Sequence, residues 1–142
     1  MKVNLFRLMV FATLAILLGP LAHAQAVPVR AKIPFDFLVG ERVYPAGEYV
    51  VQPLRNDSYS LFVRNEHTKA SAVTLSYPLS APEPAKQTML VFHRVGNTYF
   101  LYQIWAGDSR VGRQVAISRT EARMAQKGTK TDTTTVAASI IH

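Results

Sequence analysis

Residues 87–106 read QTMLVFHRV, then GN, then TYFLYQIWA: two β-rich runs of nine residues joined by Gly96-Asn97. A glycine-led pair between such runs predicts a tight hairpin with a type II′ or I′ turn. Closing that turn pairs Val95 with Thr98 and sets everything behind it. Arg94 then faces Tyr99, His93 faces Phe100, Phe92 faces Leu101 and Val91 faces Tyr102. Further out, Leu90 meets Gln103, Met89 meets Ile104 and Thr88 meets Trp105. One face collects Met89, Val91, His93, Val95, Phe100, Tyr102 and Ile104. The other collects Leu90, Phe92, Leu101 and Trp105 with Arg94, Tyr99 and Gln103. Neither face is polar throughout, so the hairpin is expected at the centre of a sheet, covered on one side and partly covered on the other.

The flanking sequence extends the pattern. Residues 29–39 (VRAKIPFDFLV) alternate, with Ile33, Phe35, Phe37 and Val39 on one side, the period of a half-buried strand. Pro34 removes a ladder donor and predicts an edge position or a start after the proline. Gly40-Glu41 and residues 44–47 (YPAG) read as turns. Strand-like runs follow at 48–54, 59–64 and 70–77, separated by polar turns at 55–58 and 65–69. Residues 78–86 (PLSAPEPAK) hold three prolines and predict a stiff extended loop that crosses between sheets or shields an edge. Downstream, Gly107-Asp108-Ser109 turns the chain and 111–117 reads as a short strand. Ser118 and Glu121 have capping-box spacing, helix formers follow at 122–126, and Gly128 suits the position after the helix. Residues 129–142 are threonine-rich and read as a tail, flexible or added as an edge strand. Short strands at this spacing predict an all-β antiparallel sandwich or barrel of about seven strands with one short C-terminal helix. The single β domain is expected over 25–128.

The first two dozen residues have a different character. Lys2 and Arg7 precede an unbroken apolar run at 8–18 (LMVFATLAILL), Gly19-Pro20 ends it, and Ala22-His23-Ala24 offers small residues before Gln25. That is the three-part layout of a secretory signal peptide, expected over 1–24. The apolar run is short of the roughly 20 residues a spanning helix needs. The 118 residues that remain can form one core without cross-links. Composition agrees, since 49% hydrophobic with 18% charged describes a globular chain. The absence of cysteine excludes disulfides, a lipoprotein anchor and thiolate metal sites. Lys2 and Arg7 leave with the signal, taking the formal charge from +7 to +5. Arg110, Arg113, Arg119, Arg123, Lys127 and Lys130 concentrate the excess late in the chain, a basic surface that draws anionic partners or simply solubilises the protein.

Ile33-Pro34-Phe35-Asp36-Phe37, Val39-Gly40, Pro45-Ala46-Gly47-Glu48-Tyr49, Leu90-Val91-Phe92-His93-Arg94 and Tyr99-Phe100-Leu101 follow one another in a recognisable order. The chain thereby resembles an uncharacterised family of small secreted bacterial β proteins, frequent in acidobacteria, with motifs of the form IPFDF-VG, LPAG-Y-V and LVFHRYG-YFL. The likeness spans residues 31–123. Tyr44 departs from it, standing where the group usually has leucine. The resemblance implies export and a β fold, and assigns no activity and no functional residue.

Chemistry-bearing residues are sparse. His93 lies mid-strand in an apolar face, as a general base or metal ligand would, or as a core histidine bonded to a backbone group or a tyrosine hydroxyl. No two histidines have zinc-ligand spacing. Carboxylates are scattered among turns, with no pair marked out for glycoside hydrolysis. Asp36, between two phenylalanines, is expected to pair with Arg94 or Arg42. Tyr99 and Trp105 share a face with Arg94 and Gln103, and rings beside planar polar groups are a means of holding sugars or peptides. The expectation is an exported, non-catalytic envelope or extracellular protein that binds a ligand or an anionic surface, or plays a structural part. Its binding residues would be Arg94, Tyr99, Gln103 and Trp105, with the basic surface beside them. No metal or cofactor is expected. The partners implied are a polysaccharide, an anionic envelope component or a protein, with no nucleic acid and no transmembrane segment after cleavage. The rival is a small hydrolase of cell-wall or polysaccharide material. An enzyme predicts a deep pocket with His93 or paired carboxylates in it; a binding module predicts a shallow aromatic and basic face.

Overall fold

A computed structural model describes residues 27–55 and 59–142. The expected signal at 1–24 and the turn residues 56–58 lie outside the described residues. The strands are β1 (Val29–Ile33), β2 (Phe37–Val39), β3 (Arg42–Tyr44), β4 (Gly47–Pro53) and β5 (Ser60–Asn65). They continue as β6 (Ser71–Ser80), β7 (Met89–Val95), β8 (Thr98–Trp105), β9 (Val111–Val115) and β10 (Thr131–Ile140), with one helix, α1 (Arg119–Gln126), before the last.

Strands β1, β4, β5 and β6 form an antiparallel meander, and β7, β8 and β9 form a second. Strand β10 returns after α1 to lie beside β7, which gives the second half the Greek-key order. Two seams join the halves, β10 against β1 and β9 against β6. Eight strands thus close into an antiparallel barrel, which leaves no long free edge. The β2–β3 hairpin is an addition to it. It meets β8 through one parallel bridge, Leu38 to Phe100, on the stretch of β8 edge that β9 does not use.

The hairpin at Gly96-Asn97 forms as its residues predict. Gly96 takes φ +64° and Asn97 stays at negative φ, so the turn is type II′. Val95–Thr98, Arg94–Tyr99, His93–Phe100 and Phe92–Leu101 pair in the expected register. Beyond them a bulge inserts Tyr102, and Val91 pairs with Gln103, Leu90 with Ile104 and Met89 with Trp105. The extra residue moves every later β8 side chain to the other face. Leu90, Phe92, Leu101 and Ile104 therefore point into the barrel, while Val91, His93, Tyr102, Gln103 and Trp105 point out. The interior is filled by such inward residues from every wall strand, including Val29, Val51, Leu61, Val63 and Val136.

Several expectations change. Residues 29–39 are two strands, because the chain breaks at Pro34 and turns away before Phe37. Strand β1 is an inner stave between β10 and β4, not an edge. Pro78 lies inside β6, which runs on to Ser80 where β9 is its only strand partner, a setting that tolerates proline. The extended connection is residues 81–88, pinned to the β8–β9 turn by Ala81 N–H to Arg110 O (2.8 Å) and Ala85 N–H to Ser109 O (2.9 Å). The supposed tail is β10, paired on both sides, so the domain extends past 128 to residue 140. No helix among the described residues is long and apolar enough to cross a membrane.

Helix α1 starts and stops where its signals stand. The Ser118 hydroxyl accepts from Glu121 N–H (3.1 Å), and Gly128 at φ +75° donates to Ala125 O (3.1 Å). The Glu41 carboxylate from the β2–β3 turn supplies a second cap, accepting from Arg119 N–H (2.7 Å) and from the Thr120 hydroxyl.

Candidate functional site

The two ends of the barrel differ. At the end nearer Gly96, aromatic rings form a stopper. Phe37 is fully buried and meets Tyr49 edge-on at 4.9 Å and Phe92 at 5.6 Å. Phe35 sets its edge against Phe92 (5.1 Å) and stacks on Tyr99 (3.8 Å). Such pairs contribute roughly 0.5–1.5 kcal/mol each beyond the area they bury. Hydroxyls and a carboxylate tie the stopper down. Tyr44 donates to Ser71 O (3.0 Å), Tyr49 donates to Pro45 O (2.7 Å), and Asp36 accepts from Ala46 N–H (2.9 Å). Asp36 therefore does not pair with Arg94 or Arg42: the turn before β4 brings a backbone donor to it first.

The other end is open. The β8–β9 turn, the end of β4, Val27 and Ile140 surround a cavity of about 250 Å³. Val29, Val51, Leu61 and Ile104 form its apolar wall and belong equally to the core. Pro53, Pro78 and Val111 continue that wall. The polar contribution is small: Gln52, Ser109 and Arg113. An apolar concavity with few convergent polar groups is the usual make-up of a small-molecule site, here somewhat below the roughly 300–1,000 Å³ of drug-sized ones. Among the described lining residues there is no carboxylate, no histidine and no aromatic ring.

Arg113 is the charged group of this pocket. Its strand alternates so that Val115, two residues on, is buried in the core, and Arg113 shares that inward side opposite Ile104. Its guanidinium donates to the Ser76 hydroxyl at 2.9 Å. Ser76 is fully buried and is fixed by Tyr59 O, which its own N–H reaches at 2.7 Å. Among the described residues no carboxylate pairs with Arg113, and no buried side-chain polar atom lacks a partner, so its remaining N–H groups are open to solvent.

The aromatic face expected from the sequence does not exist as one face. Arg94 and Tyr99 point to the inner side at the stoppered end, where Tyr99 packs on the core and Arg94 lies 5.8 Å over its ring. Gln103 and Trp105 point outward beyond the bulge, and Trp105 Nε1 donates to Gln103 Oε1 (3.0 Å) with the ring nearly buried. The basic residues divide as well. Arg110 is exposed beside the pocket and Arg113 turns into it. Arg119 and Arg123 belong to α1, Lys127 is its C-cap, and Lys130 pairs with Asp132 (3.3 Å) near the Gly96 end. Period-2 reading back from Val115 marks Arg113 as inward in the sequence itself; nothing there marks Ser76 or the pairing that brings it close.

His93 holds α1 to the barrel. Its Nδ1 lies 2.5 Å from Glu121 Oε1, and its ring stacks on Tyr102 at 3.6 Å. Glu121 is the helix's one buried residue, so the carboxylate of the capping box serves tertiary docking instead. The partner of His93 is thus a helix carboxylate, not a backbone group or a tyrosine hydroxyl. Two exposed carboxylates carry electrostatic signatures. The Thr120 hydroxyl, with help from the Arg119 and Thr120 N–H groups, holds the Glu41 carboxyl below its ordinary range. A hydrogen bond from His67 does the same for Glu48.

No family model matches the chain, and comparison with curated proteins and with solved structures gives no significant match.

Proposed function

We propose that this chain is an exported, non-catalytic binding protein whose barrel receives a small, largely apolar ligand at its open end. The asymmetry of the barrel carries this reading: rings close one mouth, and the other keeps an apolar recess with one guanidinium in it. A pocket walled by Val29, Val51, Leu61 and Ile104 offers burial worth roughly 25 cal/mol per Å² of apolar ligand surface. A hydrolase reading finds less support, because the nearest thing to a catalytic pair, His93 with Glu121, clasps a helix on the outer face away from the recess. The signal layout of residues 1–24 and the resemblance to small secreted proteins support export.

Titration of isotope-labelled protein with 1-octanol tests the binding. The chain is recovered after expression with its own N-terminal signal. Amide shifts are expected at Val29, Val51, Ile104 and Val111, and Leu61→Trp, which fills the recess, should abolish them. If octanol, octanoate and octylamine all leave these amides unmoved, the binding reading falls. A product in the periplasm or medium beginning at Gln25 is expected. Met1 retained on a cytoplasmic product would overturn export.

A further inference from the structure

Resting on the binding reading, we infer that the recess is selective for a monocarboxylate with an aliphatic tail, and that Arg113 is the group that selects it. The pocket holds one cation among its described lining residues and no anion. A solvated guanidinium beside an apolar wall attracts a carboxylate, because the wall lowers the local dielectric and strengthens the charge-assisted bond. The planar fork matches a carboxylate with two parallel N–H donors. Ser76 leaves that fork available. It takes one Nη1 donor and is itself fixed by Tyr59 O, so Arg113 is positioned without being neutralised.

The remaining lining narrows the class. One arginine balances one negative charge, and a phosphate dianion would bring a second into a wall of Val29, Val51, Leu61 and Ile104 with nothing to answer it. Sugars are held by stacking on aromatic rings, and the described lining has none. Valine, leucine, isoleucine and proline side chains instead suit methylene groups, each worth about 0.8 kcal/mol on burial. The cavity of about 250 Å³ limits the tail to a short or medium chain.

Calorimetric titration with a head-group series at a common tail tests this. Octanoate is expected to bind at least tenfold more tightly than 1-octanol, and octylamine more weakly than either. Arg113→Gln should erase the octanoate preference, so that octanoate binds no more tightly than octanol to the variant. Arg113→Lys should keep part of it, since charge remains but the fork is lost. Octanol binding as tightly as octanoate to the unaltered protein would overturn the selectivity while sparing the binding reading. So would an undiminished octanoate preference in Arg113→Gln. Should that variant fail to fold, the series on the unaltered protein decides alone.

Discussion

Gly112 has no room for a methyl group. A Cβ there would lie 2.6 Å from Trp105 Cε3 and 2.8 Å from Ile104 O, closer than carbon contacts allow. The indole cannot swing aside freely, because its Nε1 is bonded to Gln103. Gly112→Ala is therefore expected to destabilise the protein by about 2 kcal/mol, the usual scale of overpacking. Urea unfolding followed by Trp105, the chain's one tryptophan, should show a lower midpoint at unchanged slope. Glu41 supplies a pH-dependent counterpart. Its carboxyl is held below the ordinary value of 4.5, so its stabilisation is complete above that value and fades as pH falls through the folded-state pKa. Glu41→Gln should be less stable than the parent at neutral pH, with the gap closing as pH falls below the ordinary value of 4.5. A gap that stays constant into acid would contradict the capping role. At this scale the sequence was legible where partners are local, as with Ser118 and Glu121 N–H. It was not where they come from afar. His93 meets a carboxylate 28 residues on, and Asp36 meets a backbone donor 10 residues on, in the turn before β4.

Turn chemistry made the β7–β8 hairpin readable, since Gly96 alone carries the positive φ that a II′ turn needs at its first central residue. Its register held for four pairs and then slipped at Tyr102. A bulge has no strong signature in a run of aromatic and branched residues that suit either face, so the supposed binding face dissolved at that one insertion. Tyr102 keeps the side the unbulged register gave it, outward with His93, on which it stacks, and His93 in turn engages Glu121. Helix α1 is thus held by one side-chain clasp at its first turn and by Glu41 at its cap. Glu121→Gln keeps the shape but weakens a charge-assisted bond, and should cost about 1.5–2 kcal/mol. Amide exchange in residues 119–126 is expected to accelerate more than in β7 or β8. Uniform acceleration throughout the barrel would mean that the clasp stabilises the whole fold and not the helix in particular.

Closure of the barrel depends on its last strand. Strand β10 bridges the two halves, pairing residues 131–137 with β7 and 138–140 with β1. Nothing in a threonine-rich stretch near the terminus announces that role, because β10 has few large apolar residues and gets its value from position. Only Val136 is buried, with Ala138 partly so. Its backbone, however, answers two otherwise open edges at once, and unpaired edges expose both polar groups and core. The Greek-key order also means that β10 must find β1 from the far end of the chain, a contact of high sequence separation that forms late if folding is limited by loop closure. Removing residues 129–142 should therefore do far more than trim a tail. The truncated chain is expected to lose its cooperative unfolding transition and to bind the dye ANS, as an opened barrel with accessible apolar interior would. A truncated protein that still unfolds in one sharp step near the parent's midpoint would show that the remaining staves close without it. The recess, with Ile140 on its wall, would then have to be rebuilt from seven staves instead of eight.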